Sequence, residues 1–425
     1  MGTDTSGLRE TGIDLGVGEF FEKYGLAFVM VASYFGSGSV FIASSAGAQF
    51  GYALIWAVFG AVLLGFMAQD MSARLGIFGE SLMAFVRRKL GRGPAVAIAS
   101  LLSVGCVAWC LELTAAVGKG IAVLTGGAVT WQPMALITGG AAIVVGIAGY
   151  DWIERIMTAM MLALLVAYVI VAGASSPDPV SIGAGMVPSV PGPDALTLAA
   201  AILGTTALWP NFFLESILVE EKGWTTADAL PTMRRDLGIG YLVGGITTIA
   251  IIVASAAVLR PAGITELETF ITPGRVLAEV LGEWALVLFL VGALAAAFNS
   301  IVPIMWTPAY LLLEALGRDP SSGDRWFKLV YVAVVALGSL SPLVHSVFGL
   351  SVVDMIILFP AYNGVVGLPI TALLLFWAVN DGGVMGDRSN SLAQNVANVS
   401  LVLIAVYLAV TSAEGVFGAI FGGGL

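Results

Sequence analysis

The stretch Gly36-Ser37-Gly38-Ser39 interrupts an apolar run, residues 26–48, that is long enough to cross a lipid bilayer. Glycine costs about 1 kcal/mol relative to alanine inside a helix, so this stretch predicts a break in the helix. In hydrocarbon the freed backbone groups need partners, and a broken helix therefore persists only where it is buried in protein or lines a cavity. We expect a binding site at this break.

A second interruption, Ala207-Leu208-Trp209-Pro210-Asn211, lies about half a chain later. Pro210 has no amide donor and is expected to clash with the preceding helical turn. Two interrupted hydrophobic segments at corresponding positions of two halves indicate the substrate site of a secondary transporter. The sequence therefore predicts a solute site between residues 36–39 and 207–211.

The composition is that of a helical integral membrane protein. Of 425 residues, 58% are hydrophobic and 11% are charged, whereas soluble domains carry about 25% charged residues. Apolar runs such as residues 55–67 lack the alternation that the strands of a membrane β-barrel need. The sequence contains no P-loop, which argues against ATP-driven pumping. We expect a lipid bilayer as its surroundings, no nucleic-acid partner, no enzymatic activity and no cofactor, and we leave the oligomeric state open.

Eleven apolar segments are near or above the roughly 20 residues that a crossing helix needs. They are residues 24–46, 50–74, 95–124, 133–149, 153–175, 195–220, 237–259, 281–313, 327–347, 350–378 and 393–413. If the N-terminus is cytoplasmic, fifteen of the 18 lysines and arginines fall in cytoplasmic segments and two, Arg260 and Arg275, in outer loops. This asymmetry predicts a protein of the cytoplasmic (inner) membrane with its N-terminus inside and its C-terminus outside.

The eleven segments divide into two units of five and one addition. Because five is odd, the second unit starts from the opposite side of the membrane and is inverted, which is typical of transporters with alternating access. We therefore predict a cytoplasmic tail at residues 1–23, a first five-helix repeat at 24–175, an extracellular connector at 176–194, a second repeat at 195–378, and an extra helix with the C-terminus at 379–425.

Several stretches resemble the natural resistance-associated macrophage protein (Nramp) family of divalent metal transporters, in the amino acid–polyamine–cation superfamily. They are Gly25-Leu26-Ala27-Phe28, Tyr34, Ala46-Gly47-Ala48-Gln49-Phe50-Gly51-Tyr52, Trp56, Ser72-Ala73-Arg74-Leu75-Gly76, and Gly183 to Pro188 followed by Pro191 to Leu196. The resemblance implies an all-α, leucine-transporter-like fold of eleven transmembrane helices with an inverted five-plus-five repeat and breaks in helices 1 and 6.

The chain departs from this family at the residues that bind metal. The family signature Asp-Pro-Gly-Asn falls on Gly36-Ser37-Gly38-Ser39, and Met-Pro-His-Asn falls on Leu208-Trp209-Pro210-Asn211. By alignment, Ser39, the carbonyl of Ala207 and the amide of Asn211 would be the remaining metal contacts. Divalent cations usually require at least one carboxylate or soft ligands, so this set predicts weak binding of a largely hydrated ion such as Mg²⁺.

The replacement residues also resemble amino acid transporters of the same superfamily. Their first-helix break has a similar Gly-Ser-Gly sequence, and the amides of the second half-helix receive a substrate carboxylate there. Helix N-termini carry partial positive charge and unpaired donors, which suits an anion. Trp209 resembles the aromatic gate of those carriers, although simple packing explains it equally well. A non-transporting protein that keeps the fold is a further alternative.

Two glutamates lie inside apolar segments, where charge is expensive and therefore indicates function. Glu112 aligns with an aspartate that the family uses in proton transfer, and Glu215 replaces a family histidine. We predict that they form the path of the coupling ion, H⁺ or Na⁺. The alternative is structural pairing with a donor such as Lys119 or Asn299. Asn363 aligns loosely with a family glutamine near the metal and is a further candidate substrate contact.

Overall fold

The computed structural model describes residues 24–267 and 271–421, so the predicted tail at residues 1–23 lies outside the described residues. All regular structure within these ranges is helical, which confirms the all-α prediction. The helices are α1 Leu26–Tyr34, α2 Ser37–Phe50, α3 Ile55–Phe78, α4 Leu82–Leu90, α5 Arg92–Leu124, α6 Trp131–Gly146, α7 Tyr150–Ala174, α8 Pro179–Gly185, α9 Pro193–Thr206, α10 Trp209–Glu221, α11 Leu230–Val258, α12 Thr272–Leu281, α13 Glu283–Ala315, α14 Arg325–Gly338, α15 Ser341–Phe348, α16 Val352–Tyr362, α17 Leu368–Val379, α18 Gly382–Met385 and α19 Leu392–Phe421.

Seven helical stretches in the described ranges are long and apolar enough to cross a membrane. Two bent pairs of helices are long and apolar enough when each pair is taken together: Leu26–Tyr34 with Ser37–Phe50, and Asn363–Val379 with Gly382–Arg388. Two shorter apolar helices are Trp131–Gly146 and Leu392–Tyr407. Each of the eleven predicted segments thus has a helical counterpart. The count of eleven crossings, the inverted repeat and the proposed domain boundaries stay predictions.

Small residues let the helices around the two breaks approach closely. A Cβ on Gly47 of α2 would lie 2.4 Å from the carbonyl oxygen of Ile252 in α11, and one on Gly240 of α11 would lie 2.6 Å from the Cβ of Ala27 in α1. Helix α13, the most buried long helix, packs on α5, α7 and α1. Lipid supplies no hydrophobic driving force for helix association. The close van der Waals packing that glycine permits at these contacts stabilises the helix pairs instead.

The first break is present where the sequence predicts it. Helices α1 and α2 meet at 64°, and Gly36 between them is extended, with φ −101° and ψ −170°. Carbonyls at the end of α1 find side-chain donors: Ser39 Oγ donates to the oxygen of Tyr34 at 2.6 Å and Ser300 Oγ to that of Ala32 at 2.7 Å. The two serines therefore supply the partners that a helix end needs in a membrane.

The second break is an interruption rather than a sharp bend. Ala207 and Leu208 leave the helix with ψ angles of 64° and 121°, while residues 194–221 still pass as one candidate span. Pro210 is the second residue of α10. The backbone N–H groups of the first helical turn have no carbonyl acceptor within the helix, so the missing N–H of proline costs no hydrogen bond there. The predicted clash with a preceding turn is therefore wrong: the chain has left the helix before it reaches the proline.

A third irregularity was not predicted. Residues Asn363–Gly367 form a π-helical turn between α16 and α17. Such turns occur mostly as single insertions in helices, often at functional sites. This one places Asn363 beside the second break, as described below.

The predicted connector, residues 176–194, contains the short helix α8. Asp178 caps this helix: the Ser181 hydroxyl at 2.5 Å and the amides of Val180 and Ser181 donate to its carboxylate. These hydrogen bonds, that of the Ser181 hydroxyl first, hold the pKa of Asp178 below its usual value. The indole of Trp56 in α3 donates to the carbonyl of Ser189 at 2.8 Å and so attaches the connector to the helices.

Candidate functional site

A cavity of about 260 Å³ lies where the two breaks face each other. Its walls come from both breaks, from α5, from α13 and from the π-helical turn. Of the residues predicted as a substrate or ion site, those that line it are Gly36, Gly38, Ser39, Glu112, Leu208, Trp209 and Asn363. Predicted site residues more than 300 positions apart thus share one cavity wall, and their contact with a solute or ion stays a prediction.

Glycine at positions 36 and 38 shapes the wall in two different ways. A Cβ on Gly36 would lie 3.1 Å from Ser300 Oγ and 3.2 Å from Leu113 Cδ2, so α13 and α5 leave little room there. A Cβ on Gly38 would meet nothing within 4 Å, because this position faces the open cavity. The first turn of α2 also carries backbone amides that no helical carbonyl can satisfy.

Glu112 is the carboxylate in the cavity wall. It is 1% exposed, and the hydroxyl of Ser37 donates a hydrogen bond to its Oε1. Lys119, the sequence-based candidate partner, is exposed on the same helix, and neither side-chain polar atom of Asn299 has a partner among the described residues. The structural partner of Glu112 is therefore the predicted site residue Ser37, which lies behind the lining.

Trp209 and Asn363 form a hydrogen-bonded pair across the cavity wall. The indole Nε1 of Trp209 donates to Asn363 Oδ1 at 3.0 Å. The amide of Asn363 donates in turn to the carbonyls of Gly105 and Phe359, each at 3.0 Å. The packing leaves no space for a side chain at position 105, because a Cβ on Gly105 would lie 2.4 Å from Asn363 Oδ1. This network fixes the indole at the second break.

Besides Ser37, three predicted site residues, Ala207, Asn211 and Glu215, lie outside the lining. Ala207 and Asn211 do not contribute to the cavity wall among the described residues. The side-chain amide of Asn211 instead donates to the carbonyl of Met30 in α1 at 2.9 Å. Their predicted contact with a substrate or metal stays a prediction. Glu215, one turn after Asn211, also lies outside the cavity and accepts a hydrogen bond from Gln69 Nε2 at 3.3 Å.

Several residues of the site were missed at the level of sequence. Ser33, Tyr34, Trp109 and Thr205 line the cavity. Hydroxyl and aromatic residues inside apolar segments are common, so only their proximity to the two breaks along the chain could have indicated them. Asp70 in α3 is 4% exposed and pairs with Arg234 at 2.6 Å.

The described residues contain no group of three or more histidine, cysteine, aspartate or glutamate side chains that could hold a metal ion. The cavity walls are mainly apolar, with contributions from Trp109, Leu113, Ile304 and Ile356. One carboxylate, several hydroxyls and the amides of α2 are the polar groups present. Such a site can hold an ion with its water shell or a small solute with apolar parts.

Comparison with other sequences identifies relatives over most of the chain. A family model described as natural resistance-associated macrophage protein-like matches residues 27–413. The divalent metal cation transporter MntH of Mycobacterium leprae is 27% identical over 413 residues, which is 91% of this chain and 92% of that protein. MntH of Mycobacterium tuberculosis, strain CDC 1551 / Oshkosh, is 28% identical over 297 residues, which cover 65% of this chain and 66% of that protein.

Solved structures share the fold at low sequence identity. A manganese transporter of Eremococcus coleocola, in complex with an aromatic bis-isothiourea substituted compound, superposes with a TM-score of 0.80 at 18% identity, covering 98% of this chain and 91% of that one. MhsT in complex with L-phenylalanine superposes with a TM-score of 0.61 at 17% identity, covering 92% and 98%.

The family match over most of the chain and the transporter fold of both structural neighbours confirm the resemblance stated from the sequence. The expectation that the chain is not an enzyme is confirmed by the nature of the family. The chain belongs to the Nramp family of membrane transporters.

Proposed function

We propose that this protein is a secondary transporter of a divalent cation that crosses largely hydrated, with Mg²⁺ the best candidate. The relatives named as divalent metal cation transporters support the class of cargo. The observation that carries the proposal is the cavity between the two breaks with Glu112 in its wall. We place the protein in the cytoplasmic membrane, with the orientation and the two inverted repeats predicted from the sequence.

The size of the cavity supports a hydrated cargo. Six water molecules, at about 30 Å³ each, occupy roughly 180 Å³ around a metal ion. The cavity encloses about 260 Å³. Mg²⁺ gives up its water reluctantly and is usually bound through one or two carboxylates. Glu112 supplies one carboxylate, and Ser39 and the backbone of the first break supply outer contacts to bound water.

The replaced family ligands support weak selectivity. Gly36 offers no carboxylate and Leu208 no thioether where the family signature has aspartate and methionine. Manganese and iron accept softer nitrogen and sulfur ligands, whereas Mg²⁺ prefers oxygen. Removing the sulfur therefore weakens binding of the softer ions more than that of Mg²⁺, while removing the first carboxylate weakens binding of both.

Transport is coupled, in this proposal, to H⁺ or Na⁺ through Glu112 and Glu215. Both side chains are at most 1% exposed inside membrane helices. A carboxylate in such surroundings gains from taking up a cation, which supports a coupling role.

An amino acid or another small carboxylate is the second candidate cargo. The mainly apolar walls, with Trp109 and Trp209, favour a solute that has an apolar part. The first-turn amides of α2 offer donors to a carboxylate. A non-transporting role is the third candidate.

The test is uptake into liposomes that contain the purified full-length chain. We expect uptake of Mg²⁺ that excess Mn²⁺ inhibits weakly, and no uptake of amino acids. Gly38→Leu, which projects into the open cavity, should block uptake without loss of stability. Gly60→Leu is the matched control, because a Cβ there also meets nothing within 4 Å. Uptake of an amino acid but of no divalent ion would overturn the first candidate in favour of the second, and uptake of neither would favour the third.

A further inference from the structure

Four buried side chains form a cluster outside the cavity, which we call the Glu215 cluster: Gln69, Glu215, Asp236 and Tyr241. Their exposed fractions are 0%, 0%, 0% and 2%. Each carries an oxygen that has no hydrogen-bond partner among the described residues, namely Gln69 Oε1, Glu215 Oε1, Asp236 Oδ1 and the Tyr241 hydroxyl. Buried polar atoms in folded proteins are nearly always paired with protein groups, ordered water or an ion, so four together mark a place where a small polar ligand or an ion fits.

Three helices bring these side chains together. The amide of Gln69 in α3 is directed onto Glu215 in α10 by its hydrogen bond of 3.3 Å. The hydroxyl of Tyr241 in α11 faces Gly65, which lies one helical turn before Gln69 in α3. A Cβ at position 65 would lie 2.8 Å from that hydroxyl. Asp236 in α11 and Asp70 in α3 lie within electrostatic range of Glu215, and Glu215 lies within that range of Tyr241.

The basic side chains around the cluster already have partners. Arg234 in α11 pairs with Asp70 in α3 at 2.6 Å. Lys222 after α10 pairs with Glu154 in α7 at 2.5 Å. The guanidinium of Arg74 in α3 donates to Asn390 Oδ1 and to the carbonyl of Arg388. Arg235 is exposed. Among the described residues, Glu215 is thus left as a buried carboxylate without a basic partner. Asp236 lies within electrostatic range of Lys222, which already pairs with Glu154.

An ionised carboxylate in this position is costly unless a positive charge accompanies it. Asp236 has partial compensation, because its Oδ2 accepts a hydrogen bond of 2.8 Å from the amide of Ala27 at the positive N-terminal end of α1. Among the described residues, Glu215 accepts a hydrogen bond only from the side-chain amide of Gln69. We propose that the Glu215 cluster is a second cation site, separate from the cavity, which binds one monovalent cation, a proton or a sodium ion, at Glu215.

This inference refines the proposed coupling role of Glu215 and separates it from Glu112. It also gives Asp236 a role. Asp236 accepts a hydrogen bond from the amide of Ala27 at the start of α1, and α1 ends at the first break. A cation bound nearby reduces the negative charge around Asp236 and so changes the strength of this hydrogen bond. Occupancy of the cluster is thereby linked to the position of a half-helix that forms the cavity wall.

The experiment measures cation binding to the purified full-length chain in nanodiscs, without any cargo, so that the result does not depend on the cargo proposed above. One arm titrates Na⁺ at constant pH and follows bound radioactive sodium. The other lowers the pH without Na⁺ and follows the infrared carbonyl band of protonated carboxyl groups. The variants are Glu215→Gln and Asp236→Asn. Glu314→Gln is the matched control, a buried glutamate elsewhere that also has an oxygen without a partner.

We expect Glu215→Gln to weaken sodium binding about 30-fold or more, or to remove one component of the carboxyl band, since losing one member of a buried charge pair costs roughly that much. Asp236→Asn should shift the Na⁺ or pH midpoint. Glu314→Gln should leave sodium binding as in the unmodified chain and should keep the band component that Glu215→Gln removes. Saturable Na⁺ binding that Glu215→Gln weakens identifies the sodium ion, and loss of a pH-dependent band component alone identifies the proton. Sodium binding and band both unchanged in Glu215→Gln, or the same loss in Glu314→Gln, would overturn the proposal.

Discussion

The ion pair between Lys222 and Glu154 should be a main stabilising contact at the end of the molecule where α1 begins. The pair joins the end of α10 to the start of α7 at 2.5 Å, and the two side chains are 7% and 8% exposed. Glu154 also packs against the start of α1, because a Cβ on Gly25 would lie 1.5 Å from its Oε1. We predict that Lys222→Met loosens this end.

The expected magnitude follows from burial. Removing one partner of a buried pair leaves an uncompensated charge and costs about 3–5 kcal/mol, whereas an exposed pair contributes about 0–1 kcal/mol. Both side chains here are less than a tenth exposed, so the larger range applies. The double variant Glu154→Gln/Lys222→Met removes both charges and should recover most of the loss.

The assay is equilibrium unfolding of the four proteins in detergent, which gives the coupling free energy of the pair through a double-mutant cycle. Lys222→Met should lower the free energy of unfolding by the stated amount and make the backbone near position 222 more accessible to a protease of broad specificity. A loss below about 1 kcal/mol would refute the reasoning, because it would mean that the pair behaves as a solvated one.

Three further outcomes are expected. Gly47→Ala should destabilise the protein by about 1–3 kcal/mol or more through its contact with α11, whereas Gly60→Ala, in open space, should be neutral or stabilising by up to about 1 kcal/mol; thermal unfolding that ranks the two equally would contradict the packing. Asn363→Ala should cost about 1–3 kcal/mol because the buried indole of Trp209 loses its acceptor, and unchanged unfolding together with an unchanged Trp209 fluorescence spectrum would speak against that bond. Because the pKa of Asp178 is lowered in the folded state, its contribution to α8 should be complete above about pH 4, the usual aspartate value, and disappear as the pH falls through the lowered pKa; amide hydrogen exchange in α8 that does not accelerate on acidification would exclude the cap.

The positions of the breaks could be predicted from residue types alone. Gly36 and Gly38 disfavour a helix wherever they occur, and an interrupted helix in lipid needs a cavity or a protein partner. The family likeness then gave the arrangement that brings both breaks to one cavity. By contrast, the reason given for Pro210 was wrong, since the chain has already left the helix at Ala207 and Leu208.

The partners of the polar residues depended on contacts that are distant in sequence. Asn211 faces Met30, Glu215 faces Gln69, and Trp209 faces Asn363, pairs that are 181, 146 and 154 residues apart. No local pattern specifies which of several apolar faces a side chain turns to. The π-helical turn at Asn363 likewise serves contacts with α5 and α10.

The sequence by itself determined that the chain is a helical membrane protein with two broken spans, because hydropathy and helix propensity act over a few neighbouring residues. Only the tertiary structure decided that Glu112 belongs to the cavity and Glu215 to a separate cluster with Asp236. Glu112 and Glu215 look alike in the sequence, since each is a single carboxylate in an apolar run, and only the side chains packed around them distinguish the two. In a low-dielectric interior those neighbours decide whether the carboxylate is paired with a hydroxyl, as at Glu112, or requires a cation, as we propose for Glu215.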